Sequence, residues 1–163
     1  MFSLSHKTFI LEQLSKSFED DLQTLVSSAE SAHEAATHAE SRADNKYDTR
    51  GLEASYLAGA QAARAQEIRK LLGICQTFKA KAFSSSDEIA IGAIVEIENE
   101  TAKQLLFLVP FAGGRSVTVE GKKINIVSSA SPLGDELIGR KQGDAFEVEM
   151  RGRQVDYEIL SVS

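Results

Sequence analysis

Residues 40–59 read ESRADNKYDTRGLEASYLAG and lie between two longer stretches with a helical pattern of apolar residues. This segment loses the apolar rhythm and collects acidic side chains among basic ones. They are Glu40, Asp44, Asp48 and Glu53 with Arg42, Lys46 and Arg50. A chain that runs out along one helix and back along another must place such a segment at the far end of the pair. We therefore expect residues 40–53 to form a charged tip, with the flanking helices as its support.

The stretches on either side of the tip predict two long helices. In each of them the apolar residues recur with helical spacing, mostly in steps of three and four, as in a helix that buries one narrow seam. The first series is Leu11, Leu14, Phe18, Leu22, Leu25, Ala29, Ala32, Ala36 and Ala39, and the second is Ala54, Leu57, Ala58, Ala65, Ile68, Leu72 and Cys75. No proline or glycine precedes Gly51, so nothing ends the first helix early. Two such helices joined by a short polar turn form an antiparallel hairpin of coiled-coil type.

The predicted seam changes in character along the hairpin. Near the base it uses leucine, phenylalanine and isoleucine, whereas toward the tip it uses almost only alanine. Because alanine buries little area, we expect the tip end to be thin and weakly held. An arm of about 35 residues would be roughly 50 Å long, and such a probe suits a narrow opening better than the enclosure of a small substrate. The alternative is a coiled coil that dimerises, since an alanine-rich seam can also pack against another chain.

The composition narrows the class of protein. The chain has 163 residues and a net charge of −6, which argues against a general nucleic-acid binder. Sequence-specific DNA binding is not expected. No apolar run approaches the roughly 20 residues that cross a bilayer. Lys7 and Glu12 break the apolar character of the N-terminus, which we expect to begin a helix and not a signal peptide. The single cysteine, Cys75, is expected to be a buried thiol. We therefore predict a cytoplasmic protein that does not associate with membranes.

The C-terminal half predicts short strands and one short helix. A polar linker at residues 84–88 is followed by runs in which apolar and polar residues alternate. The strand-like runs are residues 91–98, 104–109, 123–128, 145–150 and 155–162. Ser131 as a cap and Pro132 in the first position predict the start of a helix, which Gly139 ends.

These patterns predict an α+β protein with two parts. Residues 1–83 form the helical hairpin with its acidic tip, and residues 84–163 form a small, mostly antiparallel β domain with one short helix. No enclosed set of acid, base and nucleophile is visible in either part, so an independent enzyme is not expected.

The C-terminal third resembles a known family. The run INIVSSASPLGDELIGRKQGDAFEV at residues 124–148, followed by VDYEILSV at residues 155–162, is similar to the C-terminal domain of the bacterial transcript-cleavage factors GreA and GreB. The order of parts also matches, since that family has a helical hairpin followed by an FKBP-like domain. The resemblance implies a protein that binds RNA polymerase. In that family the C-terminal domain docks at the rim of the secondary channel, and the hairpin reaches toward the active site.

The resemblance also implies a role for the tip. In the family, acidic tip residues help to hold a second Mg²⁺ and a water at the polymerase active site, where backtracked RNA is cleaved near its 3′ end. Asp44-Asn45 fits the Glu-Asn of the family tip, while the earlier family Asp falls near Ser41, so that Glu40 is the acid left to replace it. The implied cofactor is Mg²⁺ shared with the polymerase and not one of the protein's own.

Geometry gives Asp44 and Asp48 separate weight. If the segment is helical they lie one turn apart, with about 6 Å between their Cβ atoms, and two carboxylates so placed can share a metal. Lys46 and Arg50 would then contact RNA or nucleotide phosphates. The alternative is that the acids solvate the turn and cap the second helix, with Lys46 and Arg50 as their ion-pair partners.

The predicted function is that of a Gre-type elongation factor that inserts its hairpin tip into the secondary channel of RNA polymerase. It either stimulates transcript cleavage or occupies the channel as a regulator, and the incomplete acidic pattern of the tip favours regulation. The alternative is a coiled-coil interaction or dimerisation module with no action on the polymerase.

Overall fold

The computed structural model describes residues 1–37, 50–111 and 113–163. Within them the chain forms three helices and six strands. They are α1 (Leu4–Thr37), α2 (Arg50–Thr77), β1 (Ile94–Glu98), β2 (Lys103–Val109), β3 (Ser116–Val119), β4 (Lys122–Ser128), α3 (Pro132–Leu137), β5 (Ala145–Met150) and β6 (Arg153–Val162). The chain divides into two compact units. The hairpin unit is Ser15–Gln76, and the sheet unit combines Met1–Leu14 with Thr77–Ser163.

The hairpin unit consists of most of α1 and α2, which have 34 and 28 residues. The two predicted helices are thus confirmed, and Gly51 lies within α2. Near the base of the unit, Phe18, Ile68 and Cys75 are buried, as the helical spacing predicts. The helical spacing predicts Leu57 in the same seam, but 53% of its surface is exposed. No helix among the described residues is long and apolar enough to cross a membrane.

A single six-stranded sheet forms the centre of the sheet unit. Its strand order is β3-β4-β2-β1-β6-β5, and the strand pairs are antiparallel except for β2 with β4. The predicted α+β class with a mostly antiparallel domain is therefore confirmed. The sequence pattern does not predict β3, which is a four-residue strand at the edge of the sheet.

One apolar cluster of the sheet unit joins the sheet to α3. Its members come from four strands, the helix and the segment before β1, and each is at most 5% exposed. They are Ile89, Ala93, Val95, Ile97, Leu106, Leu108, Leu137, Phe146, Val148, Tyr157, Ile159 and Val162. Burial of this many large side chains is the main source of stability for a domain of this size.

The short helix α3 begins and ends as predicted. The Ser131 hydroxyl accepts a hydrogen bond from the Gly134 amide at 3.1 Å and donates one to the Ser128 carbonyl at 2.7 Å. Pro132 is the first residue of the helix, and Gly139 follows it with φ of +81°. A Cβ at Gly134 would overlap the Ser128 carbonyl oxygen, so glycine is required where α3 crosses the end of β4.

Candidate functional site

The predicted tip side chains lie outside the described residues. Glu40, Asp44 and Asp48, predicted as catalytic acids or metal ligands, and Lys46, predicted as a phosphate contact, fall within residues 38–49. Arg50 is the first residue of α2, and its side chain also lies outside the described part. Their roles therefore stay predictions. In the parts of the chain that the structure does describe, no group of three or more His, Cys, Asp or Glu side chains could hold a metal ion.

The structure describes both helices on either side of residues 38–49. α1 ends at Thr37 and α2 begins at Arg50, so the predicted tip, residues 40–53, spans the connection and the first turn of α2. By sequence, Asp44 and Asp48 belong to the segment between α1 and α2.

The base of the hairpin unit is held by a buried seam with polar contacts beside it. Ser15 Oγ donates a hydrogen bond to Cys75 Sγ at 3.4 Å, and Gln76 Nε2 donates one to Glu19 Oε1 at 3.3 Å. Burial raises the pKa of the Cys75 thiol, while the Ser15 hydrogen bond opposes that change. Because the thiolate is the nucleophile, a buried thiol of raised pKa is unreactive. The prediction of a buried structural cysteine is thus confirmed.

Farther from the base, small side chains leave a groove of about 490 Å³ along the hairpin unit. We call it the hairpin groove. Its lining residues are Val26, Ala29, Glu30, His33, Gly59, Ala62, Ala65, Gln66 and Arg69. Glu30 and Arg69 place one acidic and one basic side chain on its walls. The groove is open and lined mainly by small residues, which does not suit the enclosure of a substrate.

The sheet unit has a groove of about 570 Å³ beside the N-terminus of α3, which we call the sheet groove. It is bounded by Gly113, Gly114, Ile126, Val127, Ser128, Ser131, Pro132, Leu133, Val148, Glu149, Met150 and Arg151. A Cβ at Gly113 would lie 2.8 Å from the Ser128 amide nitrogen, so the loop before β3 approaches β4 too closely for any other residue. Met150 is 42% exposed, and its sulfur accepts a hydrogen bond from the Tyr157 hydroxyl at 3.6 Å.

The chemistry of the sheet groove is that of a binding surface. Its walls are largely apolar, with Glu149 and Arg151 as the charged side chains at its edge. The lining residues that the structure describes include no histidine or cysteine that could act as base or nucleophile. Apolar walls with charges at the edge suit contact with apolar side chains better than catalysis.

Among the described residues, Lys7 is a charged residue that is fully buried. Its side chain is 0% exposed, and Nζ donates a hydrogen bond to the Lys81 carbonyl oxygen at 2.7 Å. Nζ also lies 4.7 Å from the centroid of the Phe83 ring, within the range of a cation–π contact. Burial lowers the pKa of Lys7 from 10.5 to about 8.

By its residue type, Lys7 indicates only a break in the apolar character of the N-terminus. A signal for its burial is present, because Lys7, Leu11, Leu14 and Phe18 follow one another in steps of four, three and four. That spacing continues the apolar seam back to Lys7. The spacing alone does not show that a charged residue at the end of the seam is enclosed.

By sequence, the chain is similar to known transcription elongation factors. The family model of the transcription elongation factor GreA/GreB C-terminal domain matches residues 84–163. Transcription elongation factor GreA from Pseudomonas aeruginosa is 31% identical over 105 residues, a match that spans 64% of this chain and 63% of that protein. GreA from Cereibacter sphaeroides is 28% identical over 150 residues, which cover 88% of this chain and 92% of that protein. The crystal structure of Thermus aquaticus Gfh1 aligns with 93% of this chain and with 92% of the Gfh1 chain. The identity is 22% and the TM-score is 0.37.

Proposed function

Because this chain belongs to the GreA/GreB family of transcription elongation factors, we propose that it binds RNA polymerase and acts on it through the tip of its helical hairpin. The observation that carries the proposal is the order of the two units. A pair of long helices brackets a charged segment, and the chain then continues into the domain that the family model matches. In this proposal the matched domain docks on RNA polymerase, and the hairpin extends from it toward the polymerase active site.

The sheet groove is the docking surface in this proposal. It is the apolar groove of the matched domain, and Met150 already exposes part of a large apolar side chain there. A polymerase segment that places one or two apolar side chains in the groove would gain most of its binding energy from them. Glu149 and Arg151 at the edge would fix its orientation through charge.

The hairpin tip enters the secondary channel and reaches the polymerase active site. Asp44 and Asp48, with Glu40 as the third acid, would supply oxygen ligands of the kind that Mg²⁺ prefers. Mg²⁺ held there would polarise a phosphodiester of backtracked RNA and bring a water to it. Lys46 and Arg50 contact the phosphates near the RNA 3′ end. If the tip holds no metal, the same insertion occupies the channel and regulates the polymerase without cleavage.

The test is RNA cleavage by a purified, backtracked bacterial elongation complex, with and without the protein, together with competition against a GreA factor. Faster cleavage that depends on Mg²⁺ would support the cleavage version. Competition without cleavage would support the regulatory version. Neither effect would contradict the proposal.

Substitution of the tip acids separates chemistry from binding. We expect Asp44→Ala with Asp48→Ala to reduce cleavage by at least about 100-fold, the usual loss when a group that stabilises the transition state is removed. Competition with GreA should be unchanged. Asp20→Ala, an exposed acid on α1, is the matched control and should leave both measurements as they are. Unchanged cleavage in the tip variant would remove the metal from the proposal.

A charge in the sheet groove tests the docking surface. Met150→Glu places a carboxylate among apolar walls, which we expect to weaken competition for the polymerase by about tenfold or more. Ile91→Glu makes the same change at a partly exposed apolar residue of the sheet unit that does not line the groove. Equal effects of the two variants would place the docking surface elsewhere.

Tyr56 and Leu57 favour a second candidate function. Both belong to α2 and are well exposed, at 72% and 53% of their surface. Large apolar side chains on a helix can form the seam of a dimer, so the hairpin would then be a dimerisation module. Sedimentation across a wide range of protein concentration decides between the two. A monomer throughout would eliminate this candidate, and a dimer that does not bind polymerase would favour it.

A further inference from the structure

We propose that Lys7 is a positioning residue of the hairpin, since it fastens the beginning of α1 to the segment that follows α2. We call residues 4–14 the foot of α1 and residues 78–83 the exit segment, and both belong to the sheet unit. The inference rests on the proposed function in one respect, namely that the hairpin tip must be delivered to the polymerase active site. Such delivery requires that the foot of α1 be attached in one fixed position.

Two contacts join Lys7 to the exit segment. The hydrogen bond from Nζ to the Lys81 carbonyl oxygen fixes a distance of 2.7 Å, and the Phe83 ring lies 4.7 Å from the same nitrogen. A hydrogen bond requires alignment of donor and acceptor, and a cation–π contact requires the cation over the ring face. Together they hold Lys7 at one place along the exit segment and in one direction.

The energetic cost of this arrangement argues against a purely stabilising role. An ammonium group that is withdrawn from water loses its hydration, and one hydrogen bond with one ring contact replaces only part of it. An apolar residue of similar length would fill the same space without that loss. Apolar burial is non-directional, however, and would leave the foot free to shift along the exit segment.

Lys7 lies close to the point where the chain leaves the sheet unit, and its contacts lie close to the point where the chain returns. The chain leaves the sheet unit after Leu14 and returns to it at Thr77. Lys7 therefore links the foot, just before the chain leaves, with the exit segment, just after it returns. Other contacts tie each segment to the rest of the sheet unit separately, namely His6 with Glu120 at 3.4 Å for the foot and the Phe78 ring with the Phe111 ring for the exit segment. The Lys7 ammonium thus provides a polar link from the foot to the exit segment.

The competing explanation is that apolar side chains alone hold the foot. Ile10, Leu11 and Leu14 are buried on the same helix, and Lys7 would then merely fill space beside them. This explanation and ours differ in what Lys7→Met should do. Methionine keeps most of the length and the apolar stem but has neither the charge nor the hydrogen-bond donor.

The first test uses the free protein and needs no polymerase. Spin labels on Glu12→Cys and Asp156→Cys, both exposed and both in the sheet unit, report the distance between the foot and β6 when the background is Cys75→Ala. We expect Lys7→Met to broaden the distance distribution without lowering the melting temperature. Lys16→Met, the same change at an exposed position of α1, should leave the distribution narrow.

An unchanged distribution in Lys7→Met would overturn the inference, because the apolar contacts would then suffice. If Lys7→Met does not fold, Phe83→Leu removes the ring and keeps an apolar side chain at that position. The same broadening is expected in Phe83→Leu, and a narrow distribution there would overturn the inference in the same way.

The second test measures the consequence on the polymerase. Lys7→Met should compete with GreA as well as the unaltered protein does, while its cleavage or regulatory effect falls by about 10-fold to 100-fold, the loss expected from a misplaced reactive group. Equal activity of Lys7→Met and the unaltered protein would overturn the positioning role. If the unaltered protein does not bind polymerase, the proposed function fails, and the distance measurement alone decides whether Lys7 holds the foot.

Discussion

The two halves of α1 follow the same apolar spacing but bury their seams to different extents. In the base-side half, residues 4–18, the side chains of Lys7, Ile10, Leu14 and Phe18 are at most 1% exposed. In the tip-side half, no residue that the structure describes between positions 19 and 35 is buried. The seam residues there, such as Leu25 and Ala32, are only partly covered.

α2 shows the same difference in burial between its base end and its tip end. Ile68 and Cys75 near the base are buried, whereas Tyr56 and Leu57 near the tip are exposed. Near the base the helical spacing and the burial agree, whereas toward the tip neither the spacing of Leu57 nor its size leads to burial. A seam of alanine permits close packing and provides little hydrophobic stabilisation. The tip-side half is therefore the less stable end of the hairpin.

The largest expected effect lies at Phe18, in the base-side half. Phe18→Ala removes a fully buried ring and should lower the free energy of unfolding by about 3–5 kcal/mol, through lost burial and the cavity left behind. Phe9→Ala, on the same helix but partly exposed, is the matched control and should cost much less. Urea denaturation followed by circular dichroism measures both. Similar losses in the two variants would contradict the description of the base-side half as the buried one.

The burial of Lys7 in the base-side half predicts that the free energy of unfolding depends on pH. Because its pKa is lowered in the folded protein, the unfolded chain binds more protons between about pH 8 and pH 10.5, and stability rises with pH across that window. Below pH 8 the full cost of burying the charge is present. Lys7→Met lacks this cost, so its advantage over the unaltered protein should shrink by up to about 3 kcal/mol as the pH rises from 7 to 10.5.

Urea denaturation of both proteins at several pH values within this window measures the change, and the difference between them cancels titration of other groups. Lys16→Met removes an exposed lysine from the same helix and should show a difference that does not vary with pH. A constant difference for Lys7→Met as well would mean that Lys7 is not enclosed.

Much of the fold is predictable from the sequence because its signals are local. Helical spacing predicts α1 and α2, alternation predicts most strands, and the Ser131-Pro132 pair predicts the start of α3. The edge strand β3 and the parallel pairing of β2 with β4 are not predicted. β3 has only four residues, and the alternation within a strand does not show whether its neighbour runs parallel or antiparallel.

The candidate site was less accessible to sequence reasoning. The tip acids are conspicuous as charges, so Asp44 and Asp48 could be proposed without a structure, and their role stays a prediction. The sheet groove depends on how the loop at Gly113 meets α3, which no local pattern shows. Lys7 was missed because its side chain is charged, and charged side chains are almost never fully buried. Its burial follows from tertiary contacts with Lys81 and Phe83.

The smallest expected effect lies at Leu57, in the tip-side part of α2, where the helical spacing and the structure disagree. The spacing places Leu57 in the seam, whereas the structure leaves 53% of it exposed. Leu57→Ala should therefore change the free energy of unfolding by no more than about 0.5 kcal/mol, since little area is lost and alanine favours the helix. Ile68→Ala, at a buried seam position of the same helix, should cost about 2–5 kcal/mol in the same urea experiment. If Leu57→Ala instead cost about as much as Ile68→Ala, the seam would extend to the tip, and the contrast between the two halves would be lost.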